Sequence, residues 1–260
     1  MAKTRAPWSE NVYKKRLNEG RGQGDLESYQ PWLNIHDLPS KGYATRIYGQ
    51  KTNRIHHLLS HHELYYFCLL EWSEHVIDIR EQFPMRLTET LEIAGQAGIP
   101  HPWDNRSRFP YVMTTDFLVT TDHGLEARTV KTVEELRRKR VREKFEIERR
   151  YWQKCGIPWK VVTEKQIDVD KAKNILWLKT GISLHTGLPD QAARERSEQL
   201  FLELYGRQEI PFHRILEYVE DFSGLQPGMG LSIFKGLVLS RRITLGLSAP
   251  INLADPRKGG

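Results

Sequence analysis

Residues 113–163 limit the possible folds of this chain most, because strand, turn and helix patterns follow one another there without a long linker. The segment contains MTTDFLV, TTDHG, LEARTVK, a charged stretch and IPWKVVT. β-Branched and aromatic residues flank Thr121–Gly124, whose Asp, His and Gly suit a tight turn. The pattern therefore predicts a β-hairpin.

A helix and a further strand are predicted after this hairpin. Thr132 and Glu135 have the T-x-x-E spacing of a capping box, which begins a helix over Val133–Lys154. Gly156 ends it, and Pro158 prevents its return. Residues 159–162 then suit a short buried strand, so the segment predicts a crossover in a mixed sheet.

Asp116 lies on the first hairpin strand, and Lys131 ends the second. An acidic residue and a lysine on paired strands, followed by a crossover helix, are typical of metal-dependent nucleases. Mg²⁺ prefers hard oxygen ligands, so Asp116 is the leading ligand candidate. Lys131 could orient or deprotonate a water, or offset transition-state charge. The alternatives are an acidic strand-edge residue and a lysine whose stem covers apolar surface.

Glu63 is the candidate for a further acidic member of this site. Ser60 and Glu63 also have the spacing of a capping box, so Glu63 could instead hold a helix N-terminus. Glu126 and Glu135 are nearby competitors.

Four of the ten histidines lie within seven residues, which raises the possibility of zinc. They are His56, His57, His61 and His62. His57 and His61 are four apart, but Ser60 is expected to begin the helix, which puts His57 before it, and no HExxH motif occurs. The spacing disfavours a zinc site.

The formal net charge of +6 and the pI of about 9.2 favour a polyanionic partner, although a merely basic surface gives the same values. Residues 1–24 are basic and then glycine-rich, which predicts a flexible arm or an arm that contacts DNA phosphates. Candidate phosphate contacts on the charged helix and near the C-terminus are Arg137, Arg138, Arg140, Lys235, Arg241 and Arg242.

The remaining N-terminal pattern predicts a hairpin over residues 43–57, a helix after Ser60, a strand at Val76–Ile79 and mostly loop over Arg86–Pro110. No apolar run is long enough for a membrane span. The N-terminus lacks the apolar region of a signal peptide, and the two cysteines have no CxxC spacing. These features favour a cytoplasmic protein with reduced thiols.

The pattern changes after Ile167. Residues 168–171 suit a hinge, and Asp190 is expected to cap a helix that ends at Gly206. Two more helices follow, and alternating apolar residues at 243–247 predict a strand. Three helices and a small β-ribbon are in winged-helix order. The expected domains are therefore 1–168, with the basic arm, and 169–260.

Several blocks of the sequence resemble the TnsA family, the endonuclease subunit of heteromeric cut-and-paste transposases. They are EGRGQG, RIYGQKTNRIHHLLSHHELYYF, HVIDIREQFP, TTDFLV and ERRYWQKCGIPW, and the resemblance extends from Glu19 to Leu178. It implies a restriction-endonuclease-like α/β fold with a C-terminal winged-helix-like domain. It also implies bacterial DNA transposition, with cleavage of the 5′ strands at transposon ends.

The resemblance also implies partners and site residues. A TnsB-like transposase cuts and joins the 3′ strands, and a TnsC-like ATPase regulates both proteins. Glu63 and Asp116 match acidic ligands of one or two Mg²⁺ ions, for which Mn²⁺ could substitute, and Lys131 matches the catalytic lysine.

Thr129 departs from the family, which commonly carries Gln two positions before the lysine. Its hydroxyl or a neighbouring carbonyl could still meet a metal, or a second metal could bind more weakly. The departure also keeps open an alternative function, in which a non-catalytic module bridges DNA, transposase and ATPase.

Overall fold

The structure, a computed structural model, describes residues 8–37, 43–180 and 191–258. The chain divides into two units, Met1–Ile167 and Asp168–Gly260. Among the described helices, none is long and apolar enough to cross a membrane. Cys68 is buried, Cys155 is exposed, and no disulfide joins these two cysteines.

A four-stranded mixed sheet forms the centre of the first unit. Its strands, in spatial order, are β3 (Val76–Pro84), β4 (Thr114–Thr121), β5 (Gly124–Val130) and β6 (Trp159–Val162). β3 pairs with β4 and β4 with β5 in antiparallel fashion, whereas β5 and β6 are parallel. The predicted hairpin and the mixed sheet are confirmed.

The turn between β4 and β5 requires its glycine. Thr121 pairs with Gly124, whose φ of 120° is readily accessible only to glycine. The parallel β5–β6 pair confirms the predicted crossover. β6 is less buried than expected, because Val162 is buried but the other three residues of this strand are exposed or partly exposed.

The charged segment after β5 forms two helices rather than one. The helix α4 (Val133–Leu136) begins at the predicted capping box, in which Thr132 and Glu135 bond reciprocally. The chain then leaves the helical path at Arg138, whose ψ is 122°, and α5 (Lys139–Lys154) follows. Mixed charges along the segment gave no indication of this break.

The prediction of mostly loop over Arg86–Pro110 is wrong for the first part of this segment, where α3 (Leu87–Gln96) lies. Leu87, Thr90, Ile93 and Ala94 recur at helical spacing and are buried. The prolines that suggested a loop lie beyond the helix, whereas Gly95 lies in its last turn. α3 and α5 cover one face of the sheet, where a single apolar cluster contains Met85, Ile93, Ala94, Leu118, Ala127, Ile147, Tyr151 and Trp152.

The described part of the predicted N-terminal arm is folded. After Trp8 comes α1 (Glu10–Asn18). The Trp8 ring is 9% exposed, stacks on Tyr111 and donates from Nε1 to the Pro110 carbonyl oxygen at 2.8 Å. Arg21 donates to Asp37 at 2.5 Å. The basic composition suggested a free arm, but the aromatic side chains anchor it.

Gly22 is expected to tolerate no side chain. Its φ is +78°, and a Cβ there would lie 2.2 Å from Cγ of Pro84. Gly20 has a similar φ of +75° and nothing within 4 Å of a Cβ, so Gly20→Ala is a matched control for backbone strain alone. We expect Gly20→Ala to cost about 1 kcal/mol of unfolding free energy, and Gly22→Ala about 1–3 kcal/mol more.

Urea unfolding followed by tryptophan fluorescence measures both glycine variants, because six of the seven tryptophans precede residue 168. Equal destabilisation by the two substitutions would show that the Pro84 segment moves away without cost.

A second hairpin and a helix lie beside the sheet, as predicted. The strands β1 (Thr45–Gly49) and β2 (Arg54–Leu58) are antiparallel. The helix α2 (His61–Trp72) begins at Ser60, whose hydroxyl accepts from the Glu63 amide at 3.1 Å. α2 packs against β2, β3 and β5.

A buried charge network ties β2 to β3. The Glu81 side chain is 0% exposed and accepts from Nη1 of Arg54 at 2.9 Å, from Nη2 at 2.5 Å and from the His57 amide at 3.0 Å. Nδ1 of His56 lies 2.8 Å from the same carboxylate. These bonds hold the pKa of Glu81 at about 2 despite its burial.

The second unit is helical in its described residues. It contains α6 (Val169–Lys179), α7 (Gln191–Tyr205), α8 (Phe212–Ser223) and α9 (Met229–Leu239). The three predicted helices are confirmed, and Gly224 ends α8 in the left-handed region with φ of 62°. The capping role predicted for Asp190 lies outside the described residues.

Two predictions for the second unit are wrong. The expected hinge at 168–171 is the start of α6, where Asp168 accepts from the Lys171 amide at 2.9 Å. The expected strand at 243–247 is irregular backbone. Ile243 and Leu247 are buried, so their alternation reflects packing without strand pairing. No β-ribbon therefore completes a winged helix within residues 191–258.

Candidate active site

Glu63 lies in the first turn of α2 and is 6% exposed. Its two carboxylate oxygens accept from the Leu59 amide and from the Ser60 hydroxyl, both at 3.0 Å. The capping role that the sequence left open is thus present. These two contacts occupy two of the about four acceptor positions of the carboxylate.

Asp116 lies on β4, on the side of the strand that meets β5. Its Oδ2 accepts from the amide of Val130 at 2.7 Å. The side chain is partly buried. This bond fixes the Asp116 carboxylate between the two hairpin strands. Its donor, Val130, directly precedes Lys131 in the sequence.

The two carboxyl groups are close enough to perturb each other. Burial, then the charge of Asp116, raises the pKa of Glu63 to about 8. Burial likewise raises the pKa of Asp116, whereas the Lys131 charge opposes the rise at both groups. Two neighbouring buried carboxyls with raised pKa values form an environment that a divalent cation would neutralise. The residues present therefore suit Mg²⁺ or Mn²⁺.

Lys131 follows β5 directly, and its amide donates to the Val162 carbonyl oxygen at 3.0 Å. Its side chain is 35% exposed, and its Nζ lies 3.8 Å from the Glu135 carboxylate. The Lys131 ammonium group is close enough for its charge to lower the pKa of both Glu63 and Asp116. It is also accessible to solvent, as a group that binds a water molecule or a phosphate must be. Glu135 is occupied by the α4 cap and by Lys131.

Gln82 joins this site, although the sequence analysis did not select it. It is 2% exposed, and its Nε2 lies 3.4 Å from Oε2 of Glu63 and 3.4 Å from Oδ1 of Asp116. A possible sequence signal was a glutamine within a strand of apolar and charged residues, but only the fold shows which side chains it meets.

Thr129 does not direct its hydroxyl at the acidic pair. The hydroxyl donates to Oε1 of Glu148 at 2.5 Å and accepts from Nε1 of Trp159 at 3.1 Å. Its proton and one lone pair are thus committed elsewhere. The prediction of a Thr129 side-chain metal ligand is not supported by this arrangement.

Glu148 is the second residue that the sequence analysis missed. It lies on α5 and is 3% exposed, and its carboxyl also accepts from Thr115 at 2.7 Å. Burial raises its pKa to about 7, and Asp116 contributes to the rise. The mixed charges of this helix do not show which of its faces is covered, so the sequence gives no sign that Glu148 is buried.

The remaining acidic and histidine candidates have other partners. Glu126 pairs with Arg128. His56 is bound by Thr52 and Glu81, and none of the four clustered histidines belongs to a metal-ligand group among the described residues. A group of three such side chains does occur at the hairpin turn, where His75, Asp122 and His123 are all exposed.

The basic candidates on the charged segment are accessible. Arg137 and Arg138 are exposed and Arg140 is partly exposed. Arg137 pairs with Glu134, and Arg140 with Glu143, each at 3.1 Å. Such surface pairs are weak, so a phosphate could replace the carboxylate at little cost.

The C-terminal basic candidates divide into two kinds. Arg241 and Arg242 are exposed, and Arg242 pairs with Glu198. Lys235 is only 7% exposed, and its Nζ donates to the Thr180 carbonyl oxygen at 3.0 Å and lies 4.2 Å from the Trp177 ring centroid. Lys235 therefore stabilises the second unit, and its predicted DNA contact is not supported.

A mixed sheet with Asp116 and Lys131 on a hairpin, and with a glutamate from a flanking helix, is the arrangement of restriction-endonuclease-like α/β proteins. Two family models match the chain: "TnsA-like endonuclease N terminal" over residues 73–164 and "TnsA endonuclease C terminal" over residues 166–247. The chain therefore belongs to the TnsA endonuclease family. Asp116 and Lys131 lie within the first match, and Glu63 lies before it.

A curated relative agrees with this assignment. The chain is 46% identical over 181 residues to the Transposon Tn7 transposition protein TnsA of Escherichia coli. The alignment covers 68% of this chain and 66% of that protein, just under two thirds of the relative's length.

Proposed function

We propose that the protein is a Mg²⁺-dependent DNA endonuclease that hydrolyses the 5′ strands at transposon ends during cut-and-paste transposition. The pair of Glu63, which is buried, and Asp116, which is partly buried, carries this proposal, because it offers a cation site near the partly exposed ammonium group of Lys131. Membership of an endonuclease family supports it.

Glu63 and Asp116 are the residues that hold the cation, and Mn²⁺ can replace Mg²⁺. The cation supplies positive charge that stabilises the phosphoryl oxygens in the transition state. Lys131 orients the attacking water or offsets developing charge. Water oxygen forms a new bond to phosphorus, the bond to one bridging oxygen breaks, and that oxygen leaves with a proton.

The partners follow from the same function. A TnsB-like transposase cuts and joins the 3′ strands, and a TnsC-like ATPase regulates both proteins. Arg137, Arg138, Arg140, Arg241 and Arg242 are candidates for contacts with double-stranded DNA, because they are accessible. This activity belongs to the cytoplasm, where bacterial DNA lies.

One observation favours a second candidate, the non-catalytic assembly module. The Thr129 hydroxyl faces Glu148, so the position that commonly carries a metal-binding Gln in this family gives no side-chain ligand. Such a module would keep the fold and bridge DNA, transposase and ATPase.

Strand-specific cleavage distinguishes the two functions. The substrate is end-labelled DNA of the cognate transposon end, incubated with this protein, its TnsB-like and TnsC-like partners and Mg²⁺. The endonuclease cuts the 5′ strands in Mg²⁺ and fails to do so in EDTA. Intact 3′-strand cutting by the partner without any 5′-strand product would establish the assembly module instead.

We expect cation binding to strengthen as pH rises from 6 to 8. Glu63 has its pKa raised to about 8, so a proton must leave this carboxyl when the cation binds at lower pH. The Mn²⁺ dissociation constant should then fall by up to about tenfold per pH unit below that value. Calorimetry in two buffers of different ionisation enthalpy measures the released proton. An affinity that stays constant over this range would contradict the prediction.

A further inference from the structure

Gln82 has a backbone conformation that is unusual for its position. Its φ is 49°, in the left-handed region, although it lies within the strand β3. Residues other than glycine seldom adopt this conformation, which costs of order 1–3 kcal/mol and persists only where the surroundings enforce it. Among the described residues, the other non-glycine examples, Leu26, Asn53, Arg108 and Arg241, lie outside the strands.

The neighbours of Gln82 show how this conformation is enforced. Glu81 is fixed by Arg54 and His56, and its carbonyl oxygen accepts from the Tyr29 hydroxyl at 3.0 Å. Phe83 stacks on Tyr29 with ring centroids 6.3 Å apart. The backbone on both sides of Gln82 is thus held by packing, and its side chain has little freedom to leave the site.

The Gln82 carboxamide lies between the two acidic groups. Its Nε2 is 3.4 Å from an oxygen of Glu63 and 3.4 Å from an oxygen of Asp116, and its Oε1 accepts from the Thr114 hydroxyl at 3.1 Å. The amide hydrogens thereby offset part of the negative charge of these carboxyl groups, as the Lys131 charge also does.

The carboxamide can reverse without losing its anchor. A half-turn of the terminal torsion exchanges Oε1 and Nε2, and the Thr114 hydroxyl can accept as well as donate. The reversed amide would direct an oxygen at Glu63 and Asp116. This orientation is unfavourable beside two carboxylates alone and favourable when a cation lies among the three groups.

The Gln82 carboxamide lies close enough to both acidic groups for all three to share one cation. With Mg²⁺–O bonds of 2.0–2.1 Å, adjacent ligand oxygens lie about 2.9 Å apart. The contacts of Gln82 to Glu63 and Asp116, both at 3.4 Å, are somewhat longer, so small side-chain movements would bring the reversed amide oxygen to this spacing. The Thr129 hydroxyl is engaged by Glu148 and does not supply such a ligand.

We propose that Gln82 is a metal-responsive ligand of this site: its amide nitrogen bridges Glu63 and Asp116 without a cation, and its amide oxygen becomes a further ligand when Mg²⁺ or Mn²⁺ binds. The proposal rests on the proposed metal-dependent function. It assigns to Gln82 the uncharged oxygen that Thr129 does not supply.

Mn²⁺ binding to the full-length protein tests this role, with free Mn²⁺ measured by electron paramagnetic resonance. Gln82→Met keeps an unbranched side chain of similar length and the same backbone requirement but removes the oxygen. We expect its affinity to be about 10–100-fold weaker than that of the parent. Gln82→Glu retains an oxygen and should bind at least as tightly as the parent.

A second measurement reports the amide itself. In ¹⁵N-labelled protein, the side-chain NH₂ signals of Gln82 are identified by their loss in Gln82→Met. Saturating Mg²⁺ should shift these signals, because their acceptors change from carboxylates to the Thr114 hydroxyl. Unchanged NH₂ signals in Mg²⁺-saturated parent protein would overturn the reversal.

The controls separate this inference from the proposed function. If the parent fails to bind Mn²⁺, or Asp116→Ala binds as tightly as the parent, the metal site itself is wrong. If the parent binds, Asp116→Ala does not, and a folded Gln82→Met binds like the parent, the ligand role of Gln82 alone is wrong. Should Gln82→Met fail to fold, weaker binding by Gln82→Glu than by the parent would overturn the same role.

Discussion

Asp116→Ala is expected to abolish 5′-strand cleavage, with a loss of at least about 10³-fold, because it removes a proposed ligand of the catalytic cation and with it several kcal/mol of charge stabilisation. The substitution also removes the hydrogen bonds that the carboxylate accepts from the Val130 amide and from Nε2 of Gln82. Since burial of the Asp116 carboxyl is unfavourable, as its raised pKa shows, its removal should leave the first unit folded.

The measurement is strand-specific cleavage of labelled transposon-end DNA with the partner proteins present. Asp122→Ala is a matched control, because this exposed aspartate lies in the turn of the same hairpin and its carboxylate pairs with the nearby His75 and His123. We expect Asp122→Ala to cut like the parent. Both variants should leave DNA association and 3′-strand cutting by the partner intact. Undiminished 5′-strand cleavage by Asp116→Ala would falsify the site assignment.

Glu81→Gln is expected to destabilise the first unit by about 3–5 kcal/mol, because removal of one partner leaves a buried charge without compensation. The charge in question is Arg54, which is 8% exposed and donates to both carboxylate oxygens of Glu81. Arg54 keeps its hydrogen bonds to the carbonyl oxygens of Leu26 and Ile79. These bonds offset part of the loss of stability.

Urea unfolding followed by tryptophan fluorescence measures this loss. The control is Glu134→Gln, which removes an exposed ion pair to Arg137 and should change the unfolding free energy by less than about 0.5 kcal/mol. Similar urea midpoints for the two variants would show that the Glu81 network contributes little to stability.

The dependence on pH gives an independent check of the Glu81 network. The folded pKa of Glu81 is about 2, below its ordinary value of 4.5. Its contribution to stability is therefore complete above pH 4.5 and disappears as the pH falls toward 2. Glu81→Gln should flatten the loss of stability in this acid range, whereas Glu134→Gln should retain it.

The sequence by itself determined the elements whose signals are local. Turn residues, capping boxes and alternating apolar positions correctly predicted β4, β5, α2, α8 and α9. The same patterns put Asp116 and Lys131 on paired strands, because strand pairing follows directly from a tight turn. The resemblance to TnsA then favoured a metal role for Glu63, for which the local pattern left a site residue and a helix cap open.

Tertiary structure decided everything that depends on which groups meet. The sequence does not show which side chains Gln82 and Glu148 meet, and Thr129 lies two residues before Lys131 yet directs its hydroxyl at Glu148. Lys235 has a cationic side chain that sequence assigns to the surface, but it is buried on Trp177. Charge and polarity are properties of single residues, whereas burial, pKa and hydrogen-bond partners arise from neighbours that only chain folding brings together.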